Sequence, residues 1–251
     1  VSTETKESGF IKDCIFIPDV STLIINDDSH EKLLAFNHKL SDVLVKHASI
    51  NSIIIASSPE PLLIDCQSRK DLNIIIECGV NAQIMLKLCL KNRVKLTVKN
   101  NASASVYILG SKPHELTFVS EIAKNACLKL YEFQFSNEHS RNLLDILLLE
   151  EHAQVEYFAL NLLFGMAQKS SALTIFHNAK KTKSFQSFRG IYAGSSYGNF
   201  LGKVVVNQPA SLSLASQLYR SVILNPKAKA HTMPQLEIYN HDITASHGAS
   251  I

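Results

Sequence analysis

Side chains able to do chemistry are few in this sequence, and most stand apart. Five cysteines, Cys14, Cys66, Cys78, Cys89 and Cys127, are scattered with no C-x-x-C pair and no zinc-type spacing. An odd number without a disulfide framework fits a reducing compartment, and Cys78, Cys89 and Cys127, on alternating apolar runs, are expected to be buried and structural. Beyond residue 66 the acids rarely pair, Glu150-Glu151 being the one adjacent couple. That is too little for the clustered carboxylates of calcium binding or glycoside hydrolysis. Gly194, Gly198 and Gly202 recur among serines, but no helix start comes after them, so tight corners explain them better than a phosphate cradle. No G-x-x-x-x-G-K-[ST] loop occurs, so any ATP hydrolysis would belong to a partner. Near the C-terminal end stand Glu237, His241 and His247, the last followed by Gly248. A neutral imidazole can ligate a metal or relay a proton, and glycine lets a second backbone or a ligand come close. Taken alone, His247 reads as a structural histidine. Glu237 alternates with Leu236 and Ile238, which puts it on an outer strand face as a solvated charge or a partner contact. His241 is expected at the surface.

These residues need elements to hold them. With 46% hydrophobic residues among 251, the chain can bury one sizeable core, while 19% charged residues and a net charge of +3, evenly spread, mark no nucleic-acid footprint and no polybasic anchor. Val1 to Glu7 is polar and lacks the order of a signal peptide. The richest apolar stretch, Leu143 to Met166, is broken by Asp145, Glu150, Glu151, His152 and Glu156 and falls short of the ~18 apolar residues a span requires. The expectation is a cytoplasmic protein without membrane insertion. Residues 1–65 read as a small α/β segment. Strand-like runs lie at Cys14–Ile17, Thr22–Ile25 and Ile53–Ala56. A helix capped by Ser29 is predicted through Leu33, Leu34, Leu40, Val43 and Leu44 to about His47, able to pack on an open end of the β-rich remainder of the chain.

From Leu62 onward short alternating stretches recur between polar turns. One pattern repeats, an alanine followed by alternating side chains, at Ala82, Ala104, Ala126, Ala153, Ala172, Ala210 and Ala228, with early steps of 22, 22, 27 and 19 residues. A period near 20 with two-residue alternation suits one coil of a parallel β-helix, with alanine at the crowded corner. A β-sandwich also gives short alternating strands and stays open at this point. Leucine-rich repeats are excluded by the missing L-x-x-L-x-L spacing.

The stretch from Phe188 to Ala210, Phe-Arg-Gly-Ile-Tyr-Ala-Gly-Ser-Ser-Tyr-Gly-Asn-Phe-Leu-Gly-Lys-Val-Val-Val-Asn-Gln-Pro-Ala, resembles the segment F-x-G … G-S-S-x-G-x-F-x-G-K-x-V-V of the SufB/SufD family. Ser221-Val-Ile-Leu-Asn-Pro-Lys-Ala228 is similar to its S-L-L-L-x-x-x-A element, Met233-Pro-Gln-Leu-Glu-Ile-Tyr239 to its K-P-Q-L-E-I-Y, and Asp242-Ile-Thr-Ala-Ser-His-Gly-Ala249 to its D-D-V-x-C-S-H-G-A. SufB members carry E-H-E-A where this chain has Ser246-His-Gly-Ala249, so the likeness is to the SufD type.

The resemblance implies a mainly β fold, a right-handed parallel β-helix over residues 66–251 behind the α/β segment, with a usual C-terminal helical region beyond the sequence. It implies a non-catalytic scaffold subunit for iron–sulfur cluster assembly that pairs with a SufB-like subunit, works with a SufC-like ABC-type ATPase, and holds no cluster stably, only transiently in the complex. It also implies a cluster-assembly role for His247, with metal ligation there, and interface roles for Glu237 and Gly248. Ala245 stands where the family usually has cysteine, so this position supplies no thiolate. Two rival readings are a homodimeric β-helix adaptor without cluster chemistry and a β-solenoid polysaccharide-active enzyme.

Overall fold

Alternating side chains along an extended backbone bury one face of each strand and expose the other, and the computed structural model shows this through most of the chain. The structure describes residues 21–25, 43–48, 50–55, 61–66, 71–88, 90–110, 112–136, 138–239 and 244–250. The strands are β1 (Ser21–Ile25), β2 (Val43–Ala48), β3 (Ile50–Ile55), β4 (Leu62–Cys66), β5 (Asp71–Ile76), β6 (Asn81–Leu88), β7 (Leu90–Val98), β8 (Ser103–Gly110) and β9 (His114–Ile122). They continue as β10 (Cys127–Ser136), β11 (His139–Leu148), β12 (Gln154–Leu163), β13 (Gln168–His177), β14 (Lys183–Tyr192), β15 (Tyr197–Val206), β16 (Leu214–Ile223), β17 (Lys229–Ile238) and β18 (Thr244–Ser250).

Each coil gives one strand to each of two nine-stranded sheets. The first runs β1-β4-β6-β8-β10-β12-β14-β16-β18, the second β17-β15-β13-β11-β9-β7-β5-β3-β2. All of these pairs are parallel except the β2–β3 hairpin. The parallel β-helix is therefore found, and the sandwich is excluded because sandwich strands pair antiparallel. Register passes residue 66 without a break, since β3 pairs with β5 and β4 with β6. Val43 to His47, predicted as the end of a helix, is strand β2: Val43 and Val45 favour extended backbone, and β3 offers a complementary edge. The rest of that helix and the run at Cys14–Ile17 lie outside the described residues, whereas Thr22–Ile25 and Ile53–Ile55 fall in β1 and β3 as expected.

Corners are four-residue turns closed by a backbone bond, such as Ala126 N to Ala123 O (3.2 Å) and Ala153 N to Glu150 O (3.2 Å). In the turns 99–102, 123–126 and 150–153 the third residue takes a left-handed conformation, φ 58° at Asn101, 56° at Asn125 and 61° at His152. Asn125 Nδ2 donates to Asn101 Oδ1 at 3.0 Å, joining one turn to the next. Ala126, Ala153, Ala210 and Ala228 occupy the buried closing position of these turns. Ala82 and Ala104 instead pair with each other within the first sheet, and Ala172 faces outward beside Leu143. The solenoid period thus stands, with alanine serving more than one small-residue position. Coils also lengthen along the chain: Asn81 pairs with Ser103, 22 residues on, and Lys183 with Leu214, 31 residues on.

Of the three recurring glycines, Gly194 makes a corner, with φ +72° in the turn 193–196. Gly198 and Gly202 do not. Both face inward on β15, where a Cβ would overlap the Tyr192 ring and the Tyr219 hydroxyl respectively, so they make room for buried phenols. Packed between the sheets are columns of inward side chains; one runs Ile53, Ile74, Leu96, Ser120, Ile146, Ile175, Val204, Leu236.

Candidate functional site

One inward column of the first sheet leads to His247, the strongest candidate in the sequence. It runs Leu62, Ile84, Val106, Leu130, Tyr157, Gln186, Gln217 and, by backbone register, His247. Its early members are aliphatic and buried; from Tyr157 onward it is polar. Gln217 donates to Gln186 Oε1 (3.3 Å) and to the Gly202 carbonyl (3.2 Å), and Tyr219 donates to Gln186 Oε1 at 2.6 Å. Burial drives the Tyr219 phenol upward, so it stays a hydrogen-bond donor. Gly248 registers with Leu218 and Ala245 with Ala215 on the same strand pair.

A second polar cluster lies deeper, and alternation conceals it. In β10 the outward positions Tyr131, Phe133 and Phe135 are aromatic while Glu132 and Gln134 point into the core. Glu132 Oε1 meets Lys169 Nζ at 2.8 Å, both side chains being essentially inaccessible. Asn142 Nδ2 donates to Oε1 at 2.9 Å, Tyr157 donates to Oε2 at 2.7 Å, and Lys169 also reaches Gln134 Oε1 at 3.4 Å. Burial alone would raise the Glu132 carboxyl, but the Lys169 charge and the donated bonds outweigh it and hold the group below its ordinary range. Burial and the neighbouring carboxylate push Tyr157 well above the usual phenol value. Tyr157 stacks on Phe200 (6.1 Å), Phe200 on Phe188 (4.2 Å), and Phe200 meets Tyr219 edge-on (5.3 Å), so aromatic rings link this cluster to the Gln186–Tyr219 group.

Glu237 sits on the outer face of β17 beside Val205, as its alternation predicts. Its charge is met by Lys203 at 2.8 Å on the adjacent coil. Since β17 and β18 belong to different sheets, register does not bring Glu237 and His247 into one column. His241 lies outside the described residues.

Among the cysteines, Cys78 is exposed in the turn before Val80, which corrects the expectation of burial: its apolar run ends at Ile76 and the turn begins at Glu77. Cys127 is half-buried on an outward position, and burial, then Glu156, pushes its thiol up, away from the reactive thiolate. Cys89 lies outside the described residues. Among the described residues no three His, Cys, Asp or Glu side chains converge on a metal position. No helix among them is long and apolar enough to cross a membrane.

Fold and interior together define a two-sheet parallel β-solenoid whose C-terminal coils carry a polar interior. The model of the SUF system FeS cluster assembly family, SufBD core domain, matches residues 48–251. This chain belongs to that family. It is 31% identical over 142 residues to an iron-sulfur cluster assembly SufBD family protein of Synechocystis sp., covering 57% of this chain and 31% of that protein. A SufBD family protein of Galdieria sulphuraria is 27% identical over 105 residues, 42% of this chain and 48% of the relative. The protein ABCI7, chloroplastic, of Arabidopsis thaliana is 44% identical over 52 residues, 21% of this chain and 11% of that protein. The chain thus spans less than half the length of each of these relatives.

Proposed function

We propose that this chain is a SufD-type scaffold subunit for iron–sulfur cluster assembly, without enzymatic activity of its own. In this reading it pairs with a SufB-like subunit in the cytoplasm, and a SufC-like ABC-type ATPase supplies the ATP hydrolysis for which this sequence has no phosphate loop. The nascent cluster is cargo, held transiently by the complex and not stably by this chain. The observation that carries the reading is the Ser246-His247-Gly248 element, placed by register at the end of a column that is polar from Tyr157 onward. There His247 acts as a cluster-assembly residue and metal ligand, and Gly248 and Glu237 lie at the subunit contact. With Ala245 in the cysteine position, the thiolates come from the SufB-like partner.

Co-expression with SufB-like and SufC-like proteins followed by affinity purification tests the pairing. The expected result is co-elution of all three. Elution only as a self-dimer favours the homodimeric adaptor, a reading to which the missing thiol lends support.

A further inference from the structure

The outer face of the first sheet is apolar across β10, β12, β14 and β16, where two rows of side chains cross it in register. One row is Phe135, Leu162, Ile191 and Val222; the other, two residues earlier on each strand, is Phe133, Leu160, Arg189 and Arg220. Alternation points both rows outward, with Phe135 64%, Ile191 39% and Val222 52% exposed. At the adjoining corner Phe164, tilted against Phe135 at 5.2 Å, and the exposed Met166 and Leu224 extend the apolar surface. Scattered single apolar side chains are ordinary on a protein surface, whereas a contiguous group of this kind marks a contact with another molecule.

The arginines define the charge of that molecule. Arg189 and Arg220 stand directly opposite each other on neighbouring strands, an arrangement that repels. Neither has an ion-pair partner among the described residues. On the outer face of the second sheet, by contrast, Lys91, Lys95 and Lys203 are met by Glu115, Glu121 and Glu237 of the adjacent coil at 3.2, 2.8 and 2.8 Å. A second copy of the first-sheet face would set one arginine pair against another, so the complementary surface is acidic and comes from a different protein.

Spacing selects the shape. Neighbouring strands lie about 4.8 Å apart, and a helix laid across them rises about 1.5 Å per residue, so it advances three to four residues per strand. Apolar side chains at i, i+3, i+7 and i+10 then fall over Phe135, Leu162, Ile191 and Val222 in turn. An extended segment repeats its sheet-facing side chains about every 6.6 Å and falls out of step with the rows. We propose that this face docks an amphipathic helix of a partner protein, its apolar stripe on the Phe135–Val222 row and its carboxylates on the flank that meets Arg189 and Arg220.

Fluorescence anisotropy of the whole chain titrated against a labelled, hydrocarbon-stapled helical peptide of about 15 residues tests this. The peptide carries leucine at i, i+3, i+7 and i+10 and glutamate along one flank, and a matched peptide carries lysine on that flank instead. Saturable binding of the glutamate peptide in the micromolar range is expected, about tenfold tighter than that of the lysine peptide. Ile191→Ser weakens it about tenfold, with the melting temperature measured alongside to show that the fold is kept. Arg189→Glu/Arg220→Glu reverses the preference between the two peptides, a result that unfolding does not produce. Absence of saturation, equal affinity for the two peptides, or a preference that the double variant leaves unchanged overturns the proposal. Cosedimentation with phosphatidylcholine/phosphatidylglycerol vesicles that the glutamate peptide does not compete away assigns the face to a bilayer, and self-association abolished by Ile191→Ser assigns it to a second copy; either result also overturns it.

Discussion

Replacing Lys169 with methionine removes the cation that holds Glu132 ionised inside the solenoid. The two charges are 2.8 Å apart and out of contact with solvent. At an effective dielectric of about 20 their attraction is about 6 kcal/mol, much of it offset by desolvation. Breaking such a pair costs about 3–5 kcal/mol because the surviving charge stays buried. Here Tyr157 and Asn142 still donate to the carboxylate, at 2.7 and 2.9 Å, so we place Lys169→Met near the lower end, about 3 kcal/mol. For a chain of this size that is a fall of roughly 6–12 °C in Tm. The pH dependence has a definite sign. In the variant burial outweighs the bonds that Tyr157 and Asn142 still donate to Glu132, so its folded pKa lies above the unfolded value and protonation favours the folded state. The penalty is then full at neutral pH and shrinks as pH falls through the raised folded pKa toward the unfolded one. Urea unfolding at several pH values measures this, and the double variant Glu132→Gln/Lys169→Met, which buries no charge, recovers most of the loss. A single-variant cost below about 1 kcal/mol, or a double variant less stable than the single one, refutes the reasoning.

His177 is fully buried between the Thr182 and Ser184 hydroxyls at 2.7 and 2.8 Å, and burial lowers its pKa to about 4 from 6.5. The folded state then takes up its proton later than the unfolded one as pH falls. Stability therefore drops by roughly 3 kcal/mol between pH 6.5 and 4, and this dependence disappears in His177→Leu, as thermal melts across that range will show. Gly198→Ala, which drives a methyl into the Tyr192 ring, is expected to cost about 1–3 kcal/mol in urea unfolding. Glu237→Gln removes one side of a partly exposed ion pair with Lys203 and is expected to change the chain's own stability by less than about 1 kcal/mol, while weakening co-elution with a SufB-like partner.

The coil architecture was legible because burial has a two-residue period and several turns close on a small buried residue, so Ala126, Ala153, Ala210 and Ala228 each marked a corner. The phase was not, since small residues are also required at Ala82, and at Gly198 and Gly202 opposite tyrosines supplied by other strands. A glycine facing a phenol from elsewhere in the chain leaves no local trace. The Glu132 cluster was readable in principle. Leu128, Leu130, Glu132 and Gln134 share one phase, and two polar residues continuing a buried phase signal an interior network; the aromatic residues at Tyr131, Phe133 and Phe135 point the alternation the wrong way. The strand at Val43–Ala48 was missed because leucine spacing imitates a helix when β3, the edge that captures it, is not in view.

Cluster formation by the purified three-protein complex, followed by visible absorbance and by iron and sulfide content, measures the central claim most directly when this chain carries His247→Ala. The account predicts a clear loss of assembled cluster with co-elution, far-ultraviolet circular dichroism and melting temperature unchanged. Cluster yield equal to that of the parent complex would contradict it.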